Sequence, residues 1–172
     1  MTDSNINLRA MEPGDIDALF RWENDSSLWL TAVAHQPYSR HALQQFIDES
    51  GQTDIYASRQ LRLMAYDKGS GDTVGCVDLF DFDPYHRRAG IGILVDSTMR
   101  HKGYGYAMLC ELEKFASEHL NLHQIYCNIA EDNTASINLF TKAGFTHCGT
   151  YNHWIYSRGE WIDALAFQKI LE

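Results

Sequence analysis

The sequence predicts a single α/β (α+β) domain spanning residues 1–172, in which a twisted, mostly antiparallel sheet is flanked by helices. Three observations predict it. Apolar stripes at helical spacing open the chain, short extended runs separated by glycine turns fill its middle, and helix and strand patterns alternate toward its end. At 172 residues the chain can bury a two-layer core without disulfides or metal, and no repeat, low-complexity tract or linker argues for a second domain.

Each element has its own signal. Pro13 and Asp15 fit a first helical turn, and Ile16, Leu19 and Phe20 continue an amphipathic helix to about Trp22. Ser39 is placed to cap a second helix whose stripe is Leu43, Phe46 and Ile47, ending near Ser50. Between them lies an aromatic stretch, 29–38, expected to form a substrate-side loop. Residues 61–66 and 73–80 read as a hairpin about Lys68-Gly69-Ser70-Gly71-Asp72. After an acidic loop, Asp81-Phe82-Asp83-Pro84, a third run at 88–95 completes a meander. A helix follows from about Gly103 to His119, with Met108, Leu112, Phe115 and Ala116 on its apolar side. Residues 124–130 read as a strand and 133–143 as a helix capped by Asp132 or Asn133 and stopped at Gly144. Two last strands, 145–156 and 160–171, turn at Arg158-Gly159.

Composition narrows the function classes. Apolar residues at 45% and charged residues at 22% suit a globular protein, and no window reaches the roughly 18 apolar residues of a membrane helix. Residues 1–9 carry no basic stretch followed by an apolar run, so a cytoplasmic location is expected. Cys76, Cys110, Cys127 and Cys148 are scattered among apolar neighbours and form no C-x-x-C pair, so they read as reduced core thiols, and no metal site is expected. His119 and His123 stand at metal-like spacing, but a helix end between them keeps them off one face. A net charge of -9 repels phosphate backbones, so nucleic acid is not an expected partner, whereas a cationic substrate is easily accommodated.

The strongest chemical signal is Arg100-His101-Lys102-Gly103-Tyr104-Gly105-Tyr106-Ala107, between a strand and an amphipathic helix. Glycines let the backbone approach a diphosphate, and the first amides of the next helix are free donors backed by its dipole. A dinucleotide fingerprint needs a third glycine where Met108 stands, and a kinase-type phosphate loop needs a terminal Gly-Lys-Ser/Thr that is absent. An ordinary tight turn before a helix remains the simplest rival.

This R-x-x-G-x-G turn resembles the coenzyme A pyrophosphate motif of the GNAT acetyltransferases. Further segments resemble the branch holding ribosomal-protein alanine and spermidine acetyltransferases, in family order: Trp22-Glu23-Asn24-Asp25, His86-Arg87-Arg88-Ala89-Gly90-Ile91-Gly92, Leu122-His123-Gln124-Ile125-Tyr126, Glu131-Asp132-Asn133 with Ala135, and Ala143-Gly144-Phe145. The resemblance implies a mixed sheet whose fourth and fifth strands splay to admit pantetheine, acetyl-coenzyme A as co-substrate, a small-molecule or peptide amine as acceptor, and compatibility with a homodimer. It further implies that Ile93, Leu94 and Val95 offer backbone groups to pantetheine, the amide of Leu94 or Val95 polarising the thioester carbonyl. The amides of His101, Lys102, Gly103, Tyr104, Gly105 and Tyr106 would hold the pyrophosphate, and Asn133 would contact the cofactor or cap its helix. Arg100 would pair with a phosphate or remain a surface charge.

Two positions depart from the pattern. Many relatives carry a proton-donating tyrosine where this chain has Phe140, whose ring has no proton to give and is expected to pack against the cofactor. Losing a positioned acid costs about 10²- to 10⁴-fold, although a thiol with pKa near about 8.5 can leave as thiolate. Several relatives carry a glutamate where this chain has Gly90, so bases are sought among Asp78, Asp81, Asp83 and His86, with Tyr85 a further polar candidate. A polyamine or lysine amine is neutral about once in 10³ molecules at pH 7, an α-amine about once in ten. The missing glutamate favours an α-amine, the acidic surface favours a polycation, and a silent acyl-coenzyme A binding module is the alternative to an enzyme.

Overall fold

The computed structural model describes residues 5–26 and 36–171. A seven-stranded sheet forms its centre, in the order β1-β2-β3-β4-β5-β7-β6. Its strands are β1 (Ile6–Arg9), β2 (Leu61–Asp67), β3 (Thr73–Asp83), β4 (Arg88–Val95), β5 (Gln124–Ala130), β6 (Thr146–Ser157) and β7 (Glu160–Ile170). All neighbouring pairs are antiparallel except β4 and β5. That parallel pair is short. Arg88, Ala89 and Gly90 face Gln124, Ile125 and Tyr126, and beyond Gly90 the two strands separate.

Helices cover both faces. One face carries α1 (Ile16–Glu23), entered through a 3-10 turn at Pro13–Asp15, and α2 (Arg40–Ser50), whose first amides are capped by Ser39 Oγ accepting from Ala42 N–H at 3.1 Å. Leu19, Trp22, Leu43 and Ile47 bury there against Met64 and Cys76. The other face carries α4 (Tyr104–Lys114) and α5 (Thr134–Lys142), which bury Met108, Leu109, Leu112 and Phe140 against Val77, Leu79, Ile91 and Ile125. Each β-strand between them alternates its side chains from one core to the other.

Several boundaries differ from the sequence expectations. The strand β1 and a single helical turn, α3 (Ile55–Ser58), were not foreseen. Both are only four residues long, too short for a periodic signal. The loop expected at 81–84 is largely strand, because β3 continues to Asp83 over a bulge where Asp81 takes φ +49°. The helix expected to His119 changes at Phe115 to a π-helical turn, Phe115–His119, with Leu120 N–H donating to Phe115 O at 3.3 Å. Cys76 and Cys127 are buried, and burial pushes both thiols up to about 12. Cys110 is only half-buried and Cys148 is exposed, the latter because β6 is an edge strand facing solvent. Residues 29–35 of the aromatic stretch lie outside the described residues. Tyr38 is held by Asn24, whose Oδ1 accepts from Tyr38 N–H at 2.8 Å and whose Nδ2 donates to Tyr38 O at 3.1 Å. No helix among the described residues is long and apolar enough to cross a membrane.

Candidate active site

The start of α4 is built to leave donors free. Gly103 stands at φ +83°, a left-handed conformation open to glycine at little cost, and no side chain caps the helix. The first intrahelical bond runs from Ala107 N–H to Gly103 O at 3.2 Å, so the amides of Tyr104, Gly105 and Tyr106 have no acceptor within the helix. The dipole of an 11-residue helix adds its positive end at the same place. A Cβ on Gly105 would lie 3.2 Å from Leu139 Cδ2 and 3.5 Å from Val95 Cγ2, so its bare backbone lets α4 close on α5 and β4.

The two tyrosine rings point elsewhere. Tyr104 donates its hydroxyl to Asp67 Oδ2 at 3.0 Å, and the Tyr106 ring lies 5.0 Å from Lys142 Nζ. The anion cradle is therefore main chain, with a cationic rim from the exposed Arg100 and Lys102, and it fits a pyrophosphate. Arg100 Nε donates to Val95 O at 3.4 Å, and His101 adopts φ +62° in the turn.

Asp96, which sequence reasoning missed, fixes that turn to the sheet. Its carboxylate accepts from Trp22 Nε1 at 2.8 Å, Arg21 at 3.0 Å, and Thr98 through N–H at 3.0 Å and Oγ1 at 2.7 Å. Burial opposes its charge, yet these donors outweigh burial and hold the carboxyl well below the usual range. The only local signal was an aspartate followed by Ser-Thr, a turn-capping pattern.

Backbone groups line the opening between β4 and β5. Asp96 N–H donates to Val74 O, and Gln124 N–H donates to Arg87 O. Strand alternation then aims even-numbered residues of β4 at β3 and odd-numbered ones at β5. Past Gly90, Ile93 and Val95 therefore turn their backbone groups toward the opening, where the Val95 carbonyl already accepts from Arg100 Nε. Leu94 does not, because its backbone groups meet Cys76 of β3 in the register of the pair.

The side chains over the opening come from the α1/α2 face. Arg62 sits between two carboxylates, with Nε at 2.7 Å and Nη2 at 3.1 Å from Asp78 and Nη1 bonded to Glu23. The Phe46 ring lies 5.7 Å away. Burial acts against the guanidinium charge, but Asp78 and Glu23 hold it well above the usual arginine range. Asp78, a base candidate from sequence, is thus bonded to Arg62 through both oxygens. Asp81 is exposed on its bulge, and His86 lies in the β3–β4 turn with Nδ1 2.8 Å from Asp83 Oδ2, at the closed end of the β4–β5 pair. Tyr85 is 88% exposed and meets the His86 ring edge to face. The structure does not bring these groups to one point. It places instead Tyr126 and Phe80 at the last paired rung, ring centroids 6.4 Å apart and edge to face. Burial pushes the Tyr126 phenol up, and the charge of Asp81 adds to the shift.

Asn133 caps α5, and Phe140 packs in the core. Asn133 Oδ1 accepts from Ser136 N–H at 3.1 Å, the capping role. Phe140 is 3% exposed with its edge against Phe145 at 5.0 Å, inside the core and not on an open wall. A cavity of about 410 Å³ lined by Cys110, Glu113, Ser117 and Lys169 lies near the C-terminal half of α4, away from the opening, and contains the Lys169–Glu113 ion pair at 2.7 Å.

Comparison with known proteins agrees with this geometry. Residues 5–146 match the acetyltransferase (GNAT) domain family. The chain is 23% identical over 161 residues to the spermidine N(1)-acetyltransferase of Vibrio cholerae, covering 94% of this chain and 90% of that protein. It is 29% identical over 103 residues to the L-amino acid N-acetyltransferase AaaT of Escherichia coli, covering 58% and 63%. Among solved structures, the Vibrio cholerae spermidine N-acetyltransferase in complex with CoA and spermine superposes with a TM-score of 0.86 at 22% identity, covering 98% of this chain and 97% of that one. A dodecameric form of the same protein gives 0.80, at 23% identity over 98% and 95%. With the splayed strands and the uncapped glycine turn in their expected places, the chain belongs to the GNAT acetyltransferase family, as an N-acetyltransferase that takes acetyl-coenzyme A as co-substrate.

Proposed function

We propose that the chain acetylates a primary amine of a small polycation of the polyamine class. The observation that carries it is the charge of the acceptor face, where Glu23 and Asp78 share the single Arg62 and Asp81 stands exposed beside Tyr126. A net charge of -9 extends that field over the molecule. Two relatives similar over nearly the whole chain are spermidine N(1)-acetyltransferases, which supports the same class.

The cofactor placement follows from the backbone. The amides of Tyr104, Gly105 and Tyr106 hold the pyrophosphate, and the backbone groups of Ile93 with the amide of Val95 hold the pantetheine arm as a neighbouring strand would. The thioester then reaches the point where β4 and β5 part. There a strand amide polarises its carbonyl, the neutral amine nitrogen attacks the carbonyl carbon, the C–S bond breaks and coenzyme A leaves as thiolate, while the proton that the attacking nitrogen sheds on becoming an amide passes to solvent. A thiol of pKa near about 8.5 leaves without full protonation, so a core phenylalanine at position 140 is tolerated.

Because Asp78 is bonded to Arg62 and His86 lies at the closed end of the pair, solvent takes the ammonium proton before attack. Turnover at limiting amine then rises about tenfold per pH unit below the amine pKa near 10.4. A kcat/KM profile measured with spermidine checks this, and a plateau below pH 8 contradicts it. The wider test is coenzyme A release with polyamines, peptide N-termini and L-amino acids as acceptors. Preference for polyamines by 10-fold or more is expected, on the order of one lost charge-assisted contact. Preference for peptides or amino acids overturns the acceptor class. Self-association belongs to the same proposal, since β6 is an edge strand that exposes Tyr151, Trp154 and Tyr156.

A further inference from the structure

Where β4 and β5 part, the acyl group has one face open to it. On the α4 side, Ile91, Ile125 and Cys127 are buried at 2%, 0% and 4% exposure and belong to the main core, so no volume remains there. On the α1/α2 side, β4 presents Gly90 and Gly92, two residues without side chains on the same face. They form a trough in the strand.

The two halves of that trough differ. A Cβ on Gly92 would lie 3.7 Å from Asp78 Cβ and 3.8 Å from its Oδ2, ordinary van der Waals contact, so among the described residues there is room above Gly92 for a methyl-sized group and little more. A Cβ on Gly90 would lie 2.2, 2.6 and 2.7 Å from Cε2, Cδ2 and Cζ of Phe80, so the ring already occupies the volume of a side chain at position 90. Phe80 is the cross-strand partner of Gly90, and Tyr126 buttresses its ring edge to face. The ring is 36% exposed and belongs to neither core cluster, so the packing of the sheet does not require it.

We propose, on the placement of the thioester argued above, that Phe80 is the specificity-determining residue for the acyl group. The open half of the trough, above Gly92, takes the methyl of an acetyl group. A longer chain extends toward Gly90 and meets the Phe80 ring, which Tyr126 keeps from swinging away. One methylene in an apolar pocket changes kcat/KM by about 10- to 200-fold, so two excluded methylenes discriminate by at least about 100-fold.

The test compares acetyl-, propionyl- and butyryl-coenzyme A with one amine acceptor, in the wild type, Phe80→Leu and Phe80→Ala. The wild type is expected to prefer acetyl over butyryl by about 100-fold or more in kcat/KM. Phe80→Ala is expected to cut that ratio by about 10-fold or more through a gain on butyryl-coenzyme A, with Phe80→Leu between them. The double variant Phe80→Ala/Gly90→Val refills the trough from the other strand and is expected to return the ratio toward the wild type. A ratio that stays within about twofold of the wild type in both Phe80 variants overturns the assignment. If Phe80→Ala does not fold, Phe80→Leu alone decides. A wild type that transfers no acyl group, acetyl included, overturns the transferase placement and the pocket with it, so the two failures are distinguishable.

Discussion

The two halves of the proposed site are made of different material. The cofactor half is main chain: three uncapped amides after Gly103 and the odd-numbered backbone groups of β4. The acceptor half is side chains drawn from three elements: Glu23 from α1, Arg62 from β2, and Asp78 with Phe80 from β3. Backbone donors depend only on where a helix starts and how two strands part, and a glycine pattern can announce both. Side-chain contacts across strands depend on register, which no local pattern states. Substitutions in the Arg62 network of the acceptor half should therefore disturb the packing of the molecule, while those in the cofactor half should change binding first.

Arg62→Met gives the largest expected effect. It leaves the Asp78 and Glu23 carboxylates, 30% and 20% exposed, facing each other without their shared cation. Removing one partner of a buried pair costs about 3–5 kcal/mol, and partial exposure brings the expected loss to about 3 kcal/mol in urea unfolding. A loss under about 1 kcal/mol would place the network with ordinary surface pairs. Gly105→Leu comes next and tests the other half. Its side chain must enter the 3.2 Å space before Leu139 and push α4 from α5. Calorimetry should show coenzyme A affinity falling by about 30- to 100-fold, or about 2–2.7 kcal/mol. Unchanged affinity would mean that the first amides of α4 do not hold the pyrophosphate.

Asp96 joins the halves, since it ties Trp22 and Arg21 of the acceptor-side helix to the turn that leads into the cradle. Asp96→Asn is expected to cost about 1.5–2 kcal/mol, the worth of charge-assisted hydrogen bonds at neutral pH. The folded carboxyl titrates below its unfolded value near 3.9, so its contribution is present above that value and is lost as pH falls through the folded one. The stability difference between wild type and Asp96→Asn should hold constant above about pH 5 and shrink below about pH 4. A difference that persists undiminished into acid would assign the effect to packing and not to charge.

The same division explains what could be read without coordinates. Ser39 as a cap, the strand at 124–130 and the glycine turn before α4 each rest on residues adjacent in the chain, and the structure has them in place. The Asp81-Phe82-Asp83-Pro84 segment reads as loop from its composition, but Asp81 to Asp83 lie in β3 over a bulge where Asp81 takes a positive φ, and the turn begins only at Pro84. Gly90 was legible only as the lack of an acid. The reason for the glycine, a phenylalanine ten residues earlier lying across it, needs the β3–β4 register. Arg62 was invisible for a similar reason, since its two partners are 39 and 16 residues away.

Phe140 separates the halves most sharply and carries the smallest expected effect. From sequence alone it stands where relatives hold a proton donor, and a tyrosine there should speed departure of the thiolate if the ring faced the sulfur. In the structure the ring is 3% exposed and turned against Phe145, and Leu139, beside it, is the residue that meets α4 at Gly105. A hydroxyl added to a core ring gains no contact with a group bound between β4 and β5. Phe140→Tyr is therefore expected to leave kcat within about twofold at saturating amine, against the 10²- to 10⁴-fold of a positioned acid. A rise of about tenfold or more would show that α5 turns its ring into the opening when coenzyme A binds, and would move Phe140 from the scaffold to the cofactor half.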